Sequence, residues 1–96
     1  MTLGRVVGTV VATQKDPRLT GFKLQIVQNV DLTTMEPVSG FVVAVDAVGA
    51  GEGEIVLCCA GSSARMTDTT AERPVDSVIV AIVDTTELNG QCVYEK

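Results

Sequence analysis

Apolar residues in this chain arrive in short β-branched runs, the longest unbroken ones being Ile55 to Ala60 and Val78 to Val83, with glycine, proline or polar turn residues between the runs. An amphipathic helix needs roughly ten or more residues at a period of about 3.6, whereas short Val and Ile runs bounded by turn residues suit strands. A spanning helix would need ~18 consecutive apolar residues. The pattern therefore predicts a mostly β chain without a transmembrane helix.

Along the chain, Leu3 to Thr13 carries Val6, Val7, Val10 and Val11 with Gly4 and Gly8 between them, which predicts a first strand bent or bulged at Gly8. Lys15-Asp16-Pro17 reads as a turn. Phe22, Leu24 and Ile26 then alternate with Lys23 and Gln25 at the period of two that buries one sheet face, so Phe22, Leu24 and Ile26 are expected in the core. Asp31 to Ser39 reads as a loop and Phe41 to Asp46 as a third strand, with Phe41 also expected in the core. Glu54 to Ala60, apolar on both faces, predicts a fourth strand, and Ser77 to Asp84 another. Ser62 or Ser63 could cap a short helical turn at Ala64-Arg65-Met66, and Asn89-Gly90 is a hairpin dipeptide before a last strand, Gln91 to Glu95. The expected architecture is one all-β domain over residues 1–96, a small OB-like barrel of five or six strands with one helical turn.

A domain of 96 residues buries only about two-thirds of the surface its unfolded chain exposes, yet 46% of this chain is apolar. The surplus is aliphatic and suggests a face turned toward another subunit; a well-filled monomeric barrel is the alternative. The net charge of −5 opposes extended contact with phosphate backbones or anionic lipid, so neither nucleic acid nor membrane is an expected partner. Single-strand binding, the rival use of an OB-like barrel, also needs aromatic platforms, and Phe22, Phe41 and Tyr94 are few. The first residues break into Gly and Thr too soon for the apolar core of a secretory signal, which points to the cytoplasm. Three cysteines fit that placement: Cys58 and Cys59 are neighbours on a strand and point to opposite faces, one to the core and one to a neighbour or solvent, while Cys92 stands apart.

Histidine is absent, which removes the usual general base and the commonest metal ligand. Ser62 and Ser63 lie in Gly-Ser-Ser-Ala, outside any nucleophile-elbow pattern, and suit turn hydrogen bonds. The run Gly49-Ala50-Gly51-Glu52-Gly53-Glu54 resembles a phosphate loop only in its glycines, because it enters a strand where such loops open a helix, and its glutamates would repel phosphate. No catalytic residue, cofactor or metal is expected.

Four ordered segments, LGRVVGTVVATQK from Leu3, VAVDAVGAGEGEIVL from Val43, GSSAR from Gly61 and PVDSVIVAIVD from Pro74, resemble the EutN/CcmL family of bacterial microcompartment vertex proteins. The resemblance implies an OB-related barrel in a cyclic pentamer that closes the five-fold corners of a polyhedral shell, beside hexameric shell proteins and without a reaction of its own. It further implies that Gly49, Gly51, Gly53, Glu54, Gly61, Ser62, Ser63 and Arg65 lie near subunit contacts. Ile55 stands where many members carry an aromatic residue. The motifs are common to carboxysomes and catabolic compartments alike.

Overall fold

The structure, a computed structural model, describes residues 1–13, 16–19, 21–60 and 77–96. Five of its strands, β1 (Thr2–Val10), β2 (Lys23–Val30), β3 (Pro37–Asp46), β4 (Ile55–Ala60) and β5 (Ser77–Ile82), close a barrel in the order β1-β2-β3-β5-β4, with β4 returning to pair with β1. The β3–β5 pair is parallel and the others are antiparallel. This is the OB-like barrel expected from the strand pattern, and closure removes the exposed edges that short strands would otherwise present.

The barrel interior is filled by Val6, Val27, Ala44, Ala50, Val56, Cys58 and Ile79. The ladder between β1 and β2 slips between Val6 and Gly8, so the bend expected at Gly8 is a β-bulge that turns Val7 outward. In β2 the phase is the reverse of the sequence expectation. Gln25 and Val27 face the interior, while Leu24 and Ile26 face outward and are only partly buried. Phe41 departs further, standing 64% exposed on the outer face of β3. An alternating strand reveals two faces but not which one a closed barrel takes inside, and here the interior keeps a polar side chain because a loop carbonyl and a carboxylate receive it.

Two smaller apolar clusters lie outside the barrel wall. Val45, Cys59 and Val78 form one, covered by Leu19 and Phe22, so Phe22 is packed as expected, though not in the barrel. The covering segment contains a 3-10 turn, Pro17–Leu19, capped by Asp16, whose Oδ1 accepts from the Arg18 backbone N–H at 2.9 Å. Lys15 of the expected turn and the Ala64-Arg65-Met66 helical turn lie outside the described residues. Both Cys58 and Cys59 are buried, on opposite faces of β4; Cys59 packs in this cluster instead of facing a neighbour or solvent, because the segment carrying Leu19 and Phe22 covers it.

Leu3, Val30 and Ile55 form the other cluster, with Met35, Leu57, Val83 and Tyr94 packed against it. Val83 and Tyr94 attach a terminal hairpin of β6 (Thr85–Leu88) and β7 (Gln91–Glu95). Asn89 and Gly90 have φ of 53° and 78°, the pair of left-handed residues that a tight two-residue hairpin requires. The strand β6 is absent from the sequence expectation, since Thr-Thr-Glu-Leu carries no apolar alternation. The third strand begins at Pro37, inside the stretch expected to be loop.

Candidate assembly site

The glycine-rich connection between β3 and β4 is built from both of its ends. At its start Asp46, 7% exposed, turns its carboxylate onto the loop: Oδ1 accepts from the backbone N–H groups of Val48 at 3.0 Å and Gly49 at 2.8 Å. Its other oxygen accepts from Gln25 Nε2 at 3.2 Å, and the same amide donates to the Ala50 carbonyl at 2.9 Å. Gln25 thereby holds the loop from inside the barrel and brings Ala50 into the core. A polar side chain this deep is tolerated because its amide donates to two acceptors, a carboxylate and a loop carbonyl.

The far end of the loop is tied to β1. Gly53 N donates to Val6 O at 2.8 Å, Val6 N donates to Glu54 O at 3.0 Å, and Arg5 Nη1 donates to the Gly53 carbonyl at 2.8 Å. The Glu54 carboxylate folds back to accept from Gly51 N at 2.6 Å and takes Lys96 Nζ on its other oxygen at 2.6 Å. The Lys96 ammonium, and after it the Gly51 amide, hold the Glu54 carboxyl below its ordinary value, and the carboxylate raises Lys96 in return. One glutamate thus links the glycine loop to the residue that follows β7.

Gly49 and Gly53 have φ of 78° and 89°, a region L side chains rarely adopt, and an added Cβ would meet no atom within 4 Å at either. Backbone conformation, not lack of space, demands glycine there. Gly51 has ordinary φ, and its added Cβ would lie 3.3 Å from Glu54 Oε1. The structure therefore brings Gly49, Gly51, Gly53 and Glu54 into one exposed or half-exposed loop. Gly61, Ser62, Ser63 and Arg65 lie outside the described residues.

Sequence reasoning missed the residues that shape this loop: Arg5, Gln25, Asp46 and Lys96. Asp46 carried a signal, since aspartate before a turn with glycine three positions later is a common turn signature. Gln25 carried none. The buried Cys58 thiol is pushed up to about 11 by its burial and, less, by Cys59, which makes it a packing group at neutral pH. Among the described residues no group of three or more His, Cys, Asp or Glu side chains converges in a way that could hold a metal ion.

Comparison with known proteins places this barrel and loop. The sequence profile of the family described as ethanolamine utilisation protein EutN/carboxysome matches residues 1–84. The chain belongs to that family. Its relatives include the carboxysome shell vertex protein CcmL of Synechocystis, 45% identical over 96 residues that span 100% of this chain and 95% of that protein. The bacterial microcompartment shell vertex protein PduN of Salmonella typhimurium is 49% identical over 88 residues, covering 88% of this chain and 97% of PduN. Among solved structures, CcmL of Gloeobacter violaceus superposes with a TM-score of 0.93 at 42% identity, covering 100% and 98% of the two chains. The pentameric microcompartment shell protein GrpN of Rhodospirillum rubrum superposes at 0.83 and 44% identity, covering 92% and 99%. These EutN/CcmL relatives are named for a shell, not for a reaction, and they share this barrel over nearly its whole length.

Proposed function

We propose that this EutN/CcmL chain is a structural vertex protein of a bacterial microcompartment, acting as a pentamer at the five-fold corners of the shell in the cytoplasm and having no enzymatic activity. The observation that carries the reading is full-length similarity, above 40% identity with both CcmL and PduN, combined with a near-superposable barrel. Flat hexagonal tiles make a sheet, and a closed shell needs five-fold positions where curvature concentrates. A cyclic ring of wedge-shaped subunits, each using two different faces, supplies such a position. Hexameric shell proteins are its neighbours, and the acidic net charge makes nucleic acid an unsuitable partner.

The glycine loop, through Gly49, Gly51, Gly53 and Glu54, and the GSSAR segment, through Gly61, Ser62, Ser63 and Arg65, contribute to assembly contacts in this reading. The loop is suited to such a role because Asp46, Gln25 and Arg5 hold its backbone in place before any partner arrives, which lowers the ordering cost of contact. Native mass measurement at micromolar concentration is expected to give a five-chain species. Coexpression with hexameric shell proteins is expected to give closed polyhedra, and open sheets or tubes when this chain is omitted. A stable monomer, or shells that close equally well without it, would overturn the reading. Arg65→Glu is expected to impair assembly while leaving the fold intact by circular dichroism.

A further inference from the structure

The terminal hairpin is built as a separate arm. Strands β6 and β7 pair with each other in a two-stranded sheet, and among the described residues neither joins the barrel ladder. An isolated hairpin is marginally stable in water, so this one depends on what it docks against. Thr86 and Tyr94 lie opposite each other in the ladder, hence on one face, and both are half-buried; Tyr94 packs on the cluster of Leu3, Val30 and Ile55. The Lys96 backbone N–H donates to the Asp84 carbonyl at 2.8 Å and shuts the open end of the hairpin. The Val83 N–H donates to the Ile55 carbonyl at 2.8 Å and fixes the chain to β4 just before the arm begins. Docking also has an opposing contribution, because Thr86 Oγ1 is buried with no hydrogen-bond partner among the described residues, and water would reach it once the arm left the barrel.

One side chain ties this arm to the glycine loop. Lys96 Nζ donates to Glu54 Oε2 and the Gly51 N–H donates to Glu54 Oε1, each at 2.6 Å. Gly51 to Glu54 is itself a turn, closed by the Glu54 N–H donating to the Gly51 carbonyl at 3.2 Å, with Gly53 at a φ of 89°. Holding a glutamate side chain in one rotamer costs entropy, and two donors that need the same rotamer share that cost. We propose that the β6–β7 arm and the tip of the glycine loop form one coupled conformational element, with Glu54 as the residue they share. When the arm docks, Lys96 fixes the Glu54 carboxylate where it receives the Gly51 amide. When the arm lifts, pivoting at Asp84 between β5 and β6, the carboxylate turns to water and the tip loosens. The coupling is reciprocal, so loosening the tip weakens docking by the same factor. An ion pair whose lysine side chain is 49% exposed sets its size at roughly two- to fivefold in either equilibrium. All of these contacts lie within one chain, so the inference does not rest on the vertex reading.

Native-state amide hydrogen exchange on the full chain tests this, with the Lys96 amide reporting the arm, the Gly51 amide the loop tip and the Val27 amide the barrel. In wild type the Lys96 and Gly51 amides should exchange about tenfold or more faster than Val27, as locally opening segments do. Tyr94→Ala, which removes the docking ring and leaves the loop untouched, should speed Lys96 exchange about tenfold and Gly51 exchange roughly two- to fivefold. Lys96→Met keeps the side-chain stem, sits at an exposed position and is expected to fold with wild-type circular dichroism; it should speed Gly51 by the same roughly two- to fivefold. Glu54→Ala should speed Lys96 exchange by that factor in return. The decisive arm is the double variant: with Lys96→Met already present, Tyr94→Ala should no longer change Gly51 exchange. In ~1 M sodium chloride, which screens an exposed ion pair, the difference between wild type and Lys96→Met should narrow. Lys96 and Val27 amides that exchange at one common rate in wild type would show that the arm is no separate element and overturn the proposal. So would a Gly51 rate that is unmoved by Lys96→Met, or one that responds to Tyr94→Ala equally with and without Lys96. A monomeric wild type would remove the vertex reading and leave these outcomes as they stand.

Discussion

Replacing Gly4 and Gly8 by alanine, one at a time, should move stability in opposite directions although both glycines lie in β1. Gly4 has ordinary φ, so no left-handed backbone is at stake, but an added Cβ would collide with Val27 Cγ1 and lie 2.9 Å from the Gln28 carbonyl oxygen. Val27 is 1% exposed at the centre of the barrel and Gln28 is held in ladders with both β1 and β3, so neither neighbour can retreat cheaply. Overpacking of this kind costs about 2–3 kcal/mol, the upper part of the usual range, because one of the two crowded atoms is backbone. Alanine also narrows the unfolded ensemble, which returns about 0.5–1 kcal/mol. The net expectation for Gly4→Ala is a loss of about 1–2 kcal/mol, and at ~4–8 °C per kcal/mol for a domain of this size the Tm falls by roughly 4–15 °C. At Gly8 the added Cβ would meet only the Ile26 side chain, nearest at its mobile Cδ1 end at 3.4 Å, with Cβ and Cγ1 at ordinary contact distance. Gly8→Ala should therefore keep the entropic gain and raise Tm by roughly 2–5 °C. Differential scanning calorimetry at one fixed protein concentration, repeated at a tenth of it to separate assembly from folding, measures both. Equal shifts for the two variants, or a Gly4→Ala protein as stable as wild type, would refute the close-packing argument.

Other expectations follow from the loop and the thiols. Asp46→Ala should cost about 2–3 kcal/mol in urea unfolding at fixed concentration, because two loop N–H groups and the Gln25 amide lose a charged acceptor; a loss under half of that would deny the carboxylate its organising role. Glu54 has a folded-state value depressed by Lys96 and the Gly51 amide, so the stability it contributes is present above its ordinary value of 4.5 and disappears as pH falls through the lower folded value. Its carboxyl resonance should titrate below 4.5, and Lys96→Ala should move that midpoint upward; an unchanged midpoint would remove the ion pair from the account. Asp16, depressed from 3.8 to about 2 chiefly by the Arg18 side chain, should likewise titrate near that lower value, and Arg18→Ala should return it toward 3.8. An aromatic disulfide reagent at pH 8 should label one thiol per folded chain, Cys92, and all three only in denaturant; rapid native labelling of Cys58 or Cys59 would contradict their burial.

The order of short strands, the bulge at Gly8 and the Asn89-Gly90 turn were legible from residue types alone, because each rests on a local rule: β-branched runs extend, a glycine interrupting a strand marks a bulge, and only residues tolerant of positive φ make a two-residue hairpin. The glycine loop was legible as a loop for the same reason, and four ordered motifs pointed to the family. Facing was not legible. Whether Gln25 or Leu24 points inward, whether Phe41 is core or surface, and whether Cys59 meets solvent depend on which side of each strand the closed barrel encloses, and on a distant turn that covers Val45, Cys59 and Val78 from outside. The loop's supports were hidden for a related reason, since Arg5, Gln25, Asp46 and Lys96 come from separate stretches of chain and meet only after β1, β2, β3 and the terminal hairpin have taken their places. By itself the sequence determined a small β barrel of the EutN/CcmL kind with more aliphatic surface than one core can hold. Only the tertiary structure decided where that surplus lies, on the outer face of β2 and β3 at Ile26, Phe41 and Val43 and in a groove beside Leu3 and Leu57, because a strand's two faces become inside and outside only when the sheet closes.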